Sequence, residues 1–319
     1  MQLTKNQILI ASSFTIGIIA IIIFNSMPTR QVESTGEVKG ETSEVLAMDK
    51  IDIAKIPAPP TQIKNTQPNI AAKYAILVDK DTGKVLYEKN ANEVVPIAST
   101  TKLASAAIVL ENMNLNDQVI VKREIALTPG STMGLKTSEK ISVEKLLEGM
   151  LVVSGNDAAR ALADHYGSVD KFVAKMNEKA VEIGMTDSVY KDPAGYDDSG
   201  RSSARDLAII ASYNLRFPIF QEIIKKTEYD LYSDDGLVKH HLKNSNRLVN
   251  PGEPLYFPYA IGMKTGFTND AGHCLVTAAT KNNHTIVGVI LNTNSTTNEA
   301  SARVSRELLS WGFSNWQWE

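Results

Sequence analysis

Apolar and polar positions divide the chain into segments of different period. Ile8 to Phe24 is apolar on every face, carries no charge and is preceded by Lys5. A run of this character suits a membrane-spanning helix at the short end of the range, or the core of a signal peptide. It ends Ile-Phe-Asn-Ser-Met-Pro without a small-x-small cleavage site, so the expectation is an uncleaved signal anchor over residues 1–25, with a cleaved signal as the alternative. Lys5 on one side is balanced by Arg30 on the other, so flanking charge does not orient the segment. Residues 26–70 then lose apolar periodicity. Of the 12 prolines, Pro28, Pro57, Pro59, Pro60 and Pro68 fall here among Ser, Thr, Glu and Gln. Such a stretch buries too little apolar surface to offset its ordering entropy and reads as a flexible stalk, with a short helix within Glu44 to Ile56.

From Ala71 the pattern is that of a folded domain, 71–319. Tyr74 to Val78 and Lys84 to Glu88 read as strands around an Asp81-Thr82-Gly83 turn. The middle is helical. Thr100 to Met113 puts Leu103, Ala107, Leu110 and Met113 on one face. Val143 to Leu151 follows a capping Ser142, Asp157 to Tyr166 comes next, and Ser168 caps a helix running to Gly184. Ser203 to Asp206 is a capping box opening a helix to about Arg216. Strand patterns return at Ala260 to Thr265, Cys274 to Thr280 and Thr285 to Leu291, the last two joined through Lys281-Asn282-Asn283-His284. A final helix covers roughly Glu299 to Gly312. Strands at both ends and helices between predict an α+β fold: one antiparallel sheet flanked by helices, closed by both termini, with an inserted helical subdomain and a cleft where the parts meet.

Composition narrows the chemistry. The chain has 319 residues, 43% hydrophobic and 22% charged, with a net charge of −3, which gives no reason to expect a nucleic-acid partner. Its single cysteine, Cys274, excludes an intrachain disulfide and a multi-thiolate zinc site. No HExxH or GxSxG pattern occurs. His240 and His241 are adjacent, would point to opposite faces if extended, and are expected on a solvated loop. Cys274, among apolar neighbours, is expected to be a buried structural residue.

Three short motifs then carry the reading. Ser99-Thr-Thr-Lys102 opens the first long helix, so Ser and Lys at i and i+3 share a face. A serine hydroxyl is a weak nucleophile unless a base takes its proton, and lysine serves only if its pKa is lowered. A helix start also brings backbone N–H groups to a developing oxyanion. Ser154-Gly155-Asn156 lies between two helices and offers a hydroxyl to relay a proton and an amide to clamp a peptide. Lys264-Thr265-Gly266 ends a strand: Lys and Thr suit a carboxylate, Gly permits close approach, and the N–H of Phe267 is a second oxyanion donor. Each tripeptide alone is a common cap, turn or strand end. Together and in this order they form the combination associated with penicillin-binding proteins.

The domain resembles the serine-type D-alanyl-D-alanine carboxypeptidases, the low-molecular-weight penicillin-binding proteins. Pro96 to Lys102, Leu151 to Ala158 and Gly262 to Thr268 with Ala271-Gly272 resemble the three motif segments, and Asp192 to Tyr196 with Ser202 to Asp206 resembles the linking loop and helix. The resemblance implies that Ser99 is acylated by the penultimate D-alanine carbonyl of a peptidoglycan stem peptide, with release of the terminal D-alanine and hydrolysis of the ester by water. Lys102 would be the base, Ser154 and Asn156 relay and clamp, Lys264 and Thr265 the carboxylate site, and the amides of Ser99 and Phe267 the oxyanion hole. β-Lactams would be covalent inhibitors, no cofactor is implied, and the N-terminal helix would place the domain outside the membrane. The chain departs from family members that carry a further β-rich domain and a C-terminal anchor. In the region where some members carry an arginine before the last helix, Arg303 is the only substitute offered. Rival readings are an endopeptidase cutting crosslinks, a β-lactamase, against which the absence of glutamate in Tyr190 to Asp198 speaks, and a non-catalytic wall-binding or penicillin-sensing module.

Overall fold

The structure is a computed structural model that describes residues 57–293, 297 and 299–319. The apolar run Ile8 to Phe24 and the helix expected within Glu44 to Ile56 lie outside the described residues. Among the described residues no helix is long and apolar enough to cross a membrane.

Seven strands and seven helices matter to the site. The strands are β1 (Ala72–Asp79), β2 (Val85–Lys89), β3 (Glu228–Tyr232), β4 (Lys239–Lys243), β5 (Ala260–Thr268), β6 (Gly272–Lys281) and β7 (His284–Thr293). The helices are α1 (Lys102–Asn112), α2 (Val143–Val152), α3 (Asn156–His165), α4 (Val169–Glu182), α5 (Ala204–Asn214), α6 (Pro218–Lys225) and α7 (Ala300–Asn315). One antiparallel sheet runs β5-β6-β7-β1-β2, so β7 from the C-terminal part pairs with β1 from the N-terminal part, as the pattern predicts. The β6–β7 turn has Asn282 and Asn283 at φ 51° and 65°, the left-handed pair that a two-residue hairpin of this twist requires.

The sheet buries both faces, and the alternation along its central strands shows why. Ile76, Val78, Val287 and Val289 face the helical part, whereas Ala75, Leu77, Ile286 and Ile290 pack with Leu308 and Leu309 of α7. Helix α1 is buried along most of its length, from Lys102 to Val109. It is therefore the central helix of the subdomain, and a lysine at its first turn is forced out of water. Ser142, Ser168 and Ser203 cap their helices by accepting from the backbone N–H three residues on.

Several expectations need correcting. The stalk does not run to residue 70: Thr61–Gln62 pairs with Trp316–Gln317, and Ile63 N–H donates to Asn315 O at 2.8 Å. The polar composition there misleads because the segment satisfies its backbone against the C-terminus and buries only Pro60 and Ile70. Only half of the capping box at Ser203 forms. Asp206 stays buried and, instead of reaching back to the Ser203 N–H, accepts from Asp187 N–H and Ser188 Oγ, both at 2.8 Å. His240 and His241 lie on β4, not on a loop. They do point oppositely, His240 buried and His241 exposed between Asp230 and Glu228.

Candidate active site

The first motif begins at a strained turn. Ala98, at φ 48°, opens a short 3-10 turn over Ala98–Thr101 that leads into α1. Ser154 has φ 64°, and Met263, which precedes Lys264, has φ 111°. Each of the three motif segments thus holds a non-glycine residue in the left-handed region, at a cost of about 1–3 kcal/mol apiece. Such strain persists only where surrounding contacts fix the backbone, and here it gathers at one place.

Ser99 is half-buried and Lys102 fully so. The Lys102 Nζ lies 2.9 Å from Ser99 Oγ, 2.7 Å from Asn156 Oδ1 and 2.8 Å from the Ala194 carbonyl. Two of these partners can only accept. They occupy both hydrogens of a neutral amine and leave its lone pair for the serine hydroxyl. Burial pulls the Lys102 pKa down to about 7, while the carboxylates of Asp192 and Asp157 pull it partly back up. Asn156 is oriented by its own backbone and side-chain bonds: its N–H donates to Ser131 O at 2.7 Å and its Nδ2 to Pro129 O at 3.0 Å.

The third motif passes directly beside Ser99. A Cβ on Gly266 would stand 3.1 Å from both Ser99 N and Ile97 O, so glycine is what allows β5 to lie this close. The strand runs on to Thr268 rather than ending at Thr265. Thr265 lines the cleft, and its hydroxyl is 2.7 Å from Ser245 Oγ. Lys264 is fully buried and donates to Thr265 O at 2.9 Å. Its pKa is held well below the ordinary lysine range by burial and by the neighbouring charge of Lys102. Two hollows flank Ser99. One, of about 790 Å³, is lined by Ser131, Ser154, Ser245, Arg247, Thr265 and Phe267 among others. The other, of about 560 Å³, runs past Gly195, Tyr196, Asp198 and Asn269.

The structure therefore brings together Ser99, Lys102, Ser154, Asn156, Lys264, Thr265, Gly266 and Phe267. It does not bring in Arg303, which lies on α7 with its side chain 58% exposed, 3.6 Å from Glu299. The arginine in the cleft wall is Arg247, 2.9 Å from Glu253. Cys274 is buried beside the cleft, its thiol pushed up to about 12 by burial. Among the described residues no group of three or more His, Cys, Asp or Glu could hold a metal ion.

Sequence reasoning missed the carboxylates that build the walls. Asp157 accepts from the N–H groups of Met133, Gly134, Leu135 and Ala158 at 2.9–3.1 Å. Asp192 accepts from Ala194, Gly195, Tyr196 and Asp197 at 2.6–3.3 Å, and so aims the Ala194 carbonyl at Lys102. Gly195, at φ 73°, is the tightest point: a Cβ there would stand 1.9 Å from Ala98 O. The Asp-Pro-Ala-Gly order at 192–195 was the available signal, an aspartate able to cage the following turn.

Known proteins resemble the chain in sequence and in fold. A family model described as D-alanyl-D-alanine carboxypeptidase matches residues 61–295. The D-alanyl-D-alanine carboxypeptidase DacF of Bacillus subtilis is 35% identical over 77% of this chain, and the match spans 63% of that relative's length. A D-alanyl-D-alanine endopeptidase of Pseudomonas aeruginosa is 34% identical over 73% of this chain and 75% of its own. Among solved structures, the Streptomyces K15 DD-transpeptidase superposes with a TM-score of 0.72 at 31% identity, covering 78% of this chain and 99% of that one. A D-alanyl-D-alanine carboxypeptidase from Mycobacterium tuberculosis superposes with a TM-score of 0.72 at 31% identity, covering 81% and 96%. With the family model matching most of its length and relatives of this identity, the chain belongs to the D-alanyl-D-alanine carboxypeptidase family.

Proposed function

We propose that the protein is a serine D,D-carboxypeptidase that removes the terminal D-alanine from peptidoglycan stem peptides through an acyl-enzyme on Ser99. The observation that carries this is the Lys102 amine. Burial lowers its pKa to about 7, so a large share of it is neutral at that pH, and its two carbonyl acceptors take both hydrogens of the neutral amine and turn its lone pair toward Ser99 Oγ. Ser99 Oγ attacks the penultimate D-alanine carbonyl carbon and passes its proton to Lys102 Nζ. Charge develops on the carbonyl oxygen beside the backbone of Ser99 and β5, where the N–H groups of Ser99 and Phe267 receive it. The C–N bond then breaks, and the departing amine takes a proton relayed through Ser154. Water, losing its proton to the same lysine, hydrolyses the ester.

Recognition follows from the two hollows. The terminal carboxylate binds at the hydroxyls of Thr265 and Ser245, with Lys264 supplying positive charge from beneath the strand. Its ordinary ammonium state is unfavourable when the site is empty, and an arriving carboxylate restores it. The opposite hollow takes the stem, and the Asn156 region clamps its peptide groups.

Intact mass after incubation with penicillin tests the reading. Wild type gains one penicillin at Ser99 and Ser99→Ala gains none; an adduct mapped to another residue overturns it. A pentapeptide ending D-Ala-D-Ala loses one D-alanine, and the L-Ala-terminated analogue is inert. A crosslinked stem dimer in the same assay separates carboxypeptidase from endopeptidase activity. Rapid turnover of penicillin would instead indicate a β-lactamase, which the lack of glutamate in Tyr190 to Asp198 argues against.

We further propose that residues 8–24 anchor the chain in the cell membrane with the domain on the extracytoplasmic side. The unbroken apolar run supports this. Full-length protein should pellet with membranes, and protein starting at Pro57 should be soluble and active. A mature N-terminus just after Met27 would show a cleaved signal instead.

A further inference from the structure

Behind the wall of the cleft lies a buried pair that the reaction above does not use. His240 on β4 and Glu139 are both buried, and the His240 Nε2 is 2.6 Å from Glu139 Oε1. The other ring nitrogen, Nδ1, is 3.0 Å from the Met133 carbonyl. That carbonyl can only accept, so Nδ1 carries a hydrogen. Nε2 then faces a carboxylate oxygen, and a lone pair against a lone pair is repulsive unless a proton lies between them. The second oxygen of Glu139 accepts from Lys136 N–H at 2.8 Å.

The peptide that His240 grips is itself held from the other side. The unit joining Met133 and Gly134 accepts from His240 at its oxygen and donates to Asp157 Oδ2 at 3.0 Å through its N–H. A peptide group bonded at both ends is polarised, and each bond strengthens the other. Asp157 follows Asn156, and the same backbone segment supplies Ser131 O and Pro129 O, which fix Asn156. Asn156 in turn accepts from Lys102.

We propose that His240 is a positioning residue for acylation. It donates from Nδ1 to the Met133 carbonyl, locks the 129–135 segment, and so sets Asn156 against Lys102. The inference rests on the acyl-enzyme reading above, and the test separates the two.

Penicillin acylation rates per active site, with melting temperatures alongside, are measured in a Glu139→Gln background. Glutamine removes the buried charge yet keeps both bonds: Oε1 still accepts from Lys136 N–H, and the amide N–H donates to Nε2 of a neutral imidazole. Glu139→Gln should acylate within about twofold of wild type, since no bond is lost. Adding His240→Ala should slow acylation by about 10- to 100-fold in the folded protein, the penalty of a displaced reacting group. Adding His240→Asn instead should restore most of the rate, because its amide nitrogen sits near the Nδ1 position and can donate to Met133 O. Equal rates for the alanine and histidine forms, or no recovery with asparagine, would overturn the proposal. A second measurement needs no variant to fold: nitrogen-resolved NMR of wild type should show a slowly exchanging hydrogen on His240 Nδ1. An unprotonated Nδ1 would also overturn it. Wild type that forms no acyl-enzyme would sink the acylation reading, whereas wild type that acylates with indifferent variants sinks only the role of His240.

Discussion

Lys102 should give acylation a pH profile that no exposed lysine can give. A free lysine, with a pKa near ~10.4, is neutral in only about 4 × 10⁻⁴ of molecules at pH 7. With the pKa drawn down to about 7 by burial, roughly half of the protein carries the neutral base at that pH. The gain is about a thousandfold in competent base. Acylation by penicillin should therefore rise about tenfold between pH 6 and pH 8 and level off by pH 9. An unperturbed lysine would give about a hundredfold rise over the same interval and no plateau. Lys264 shares the buried region and feels the Lys102 charge, so the measured midpoint belongs to the pair. The assay is the second-order acylation rate from pH 5 to pH 9 for wild type, Lys102→Arg and Lys264→Arg. A guanidinium stays protonated, so Lys102→Arg should be nearly inert. A rate still climbing tenfold per pH unit at pH 9, or an arginine variant near wild-type rate, would refute the assignment of the base.

The same pKa sets a stability slope of known sign. Lys102 titrates at about 7 in the folded protein and at 10.5 when unfolded, so between these values the unfolded chain binds the extra proton. Its contribution to stability is least favourable below pH 7 and improves as pH rises toward 10.5. Relative to Lys102→Met, wild type should gain about 2–3 kcal/mol between pH 6 and pH 9. The methionine variant also leaves Asn156 Oδ1 and Ala194 O without their donor, a loss independent of pH, and frees Lys264 from the Lys102 charge, so the slope read out belongs to the coupled pair. Denaturant melts at the two pH values read it directly, and no gain between them, or a loss, would mean that the buried lysine stays charged.

Gly195→Ala should be strongly destabilised and poorly acylated, because its Cβ would stand 1.9 Å from Ala98 O and 2.6 Å from Thr101 Oγ1 at a positive φ; thermal melts and penicillin binding check it. Gly266→Ala should fold with a smaller loss, yet slow acylation by roughly tenfold or more, since its Cβ meets Ser99 N and Ile97 O at 3.1 Å and pushes β5 off the nucleophile. Thr265→Val should raise KM for the D-Ala-D-Ala peptide about tenfold while leaving stability nearly unchanged, because it removes one half-buried hydroxyl from the carboxylate site.

Much of this was legible in the sequence. The sheet closed by both termini followed from period-two strands at each end of a helical middle, and the hairpin from Asn282-Asn283. The gathering of the motif residues was legible too, because hydroxyl, amine and amide side chains have letters of their own. Elements with weaker patterns did not. Helix α6 carries a proline at its first position, a start signal that was passed over. The β3–β4 hairpin was hidden by its charges, since Lys239, His241 and Lys243 alternate with His240 and Leu242 and only the alternating positions are buried. Arg303 was proposed from its place in the chain, whereas the cleft wall takes Arg247 from a segment that nothing in the local pattern distinguished.

What remained hidden has a common cause. The groups that hold Lys102, Asn156 and His240 in place are the carbonyls of Ala194, Ser131, Pro129 and Met133, and backbone oxygens have no letter in a sequence. Their positions are fixed by Asp192 and Asp157, each spending its carboxylate on consecutive N–H groups rather than on the reaction. A carboxylate so satisfied is a rigid mould: four N–H donors replace the water that it gives up, wholly for buried Asp157 and partly for half-buried Asp192, and it fixes the turn that wraps it. Both moulds also sit near enough to Lys102 to raise its pKa against the pull of burial. The value near 7 is thus a balance, with burial alone pushing the amine lower and two structural aspartates returning part of the shift. Shaping the cleft and tuning its base are here the work of the same two residues, which is why neither could be read from the catalytic motifs by themselves.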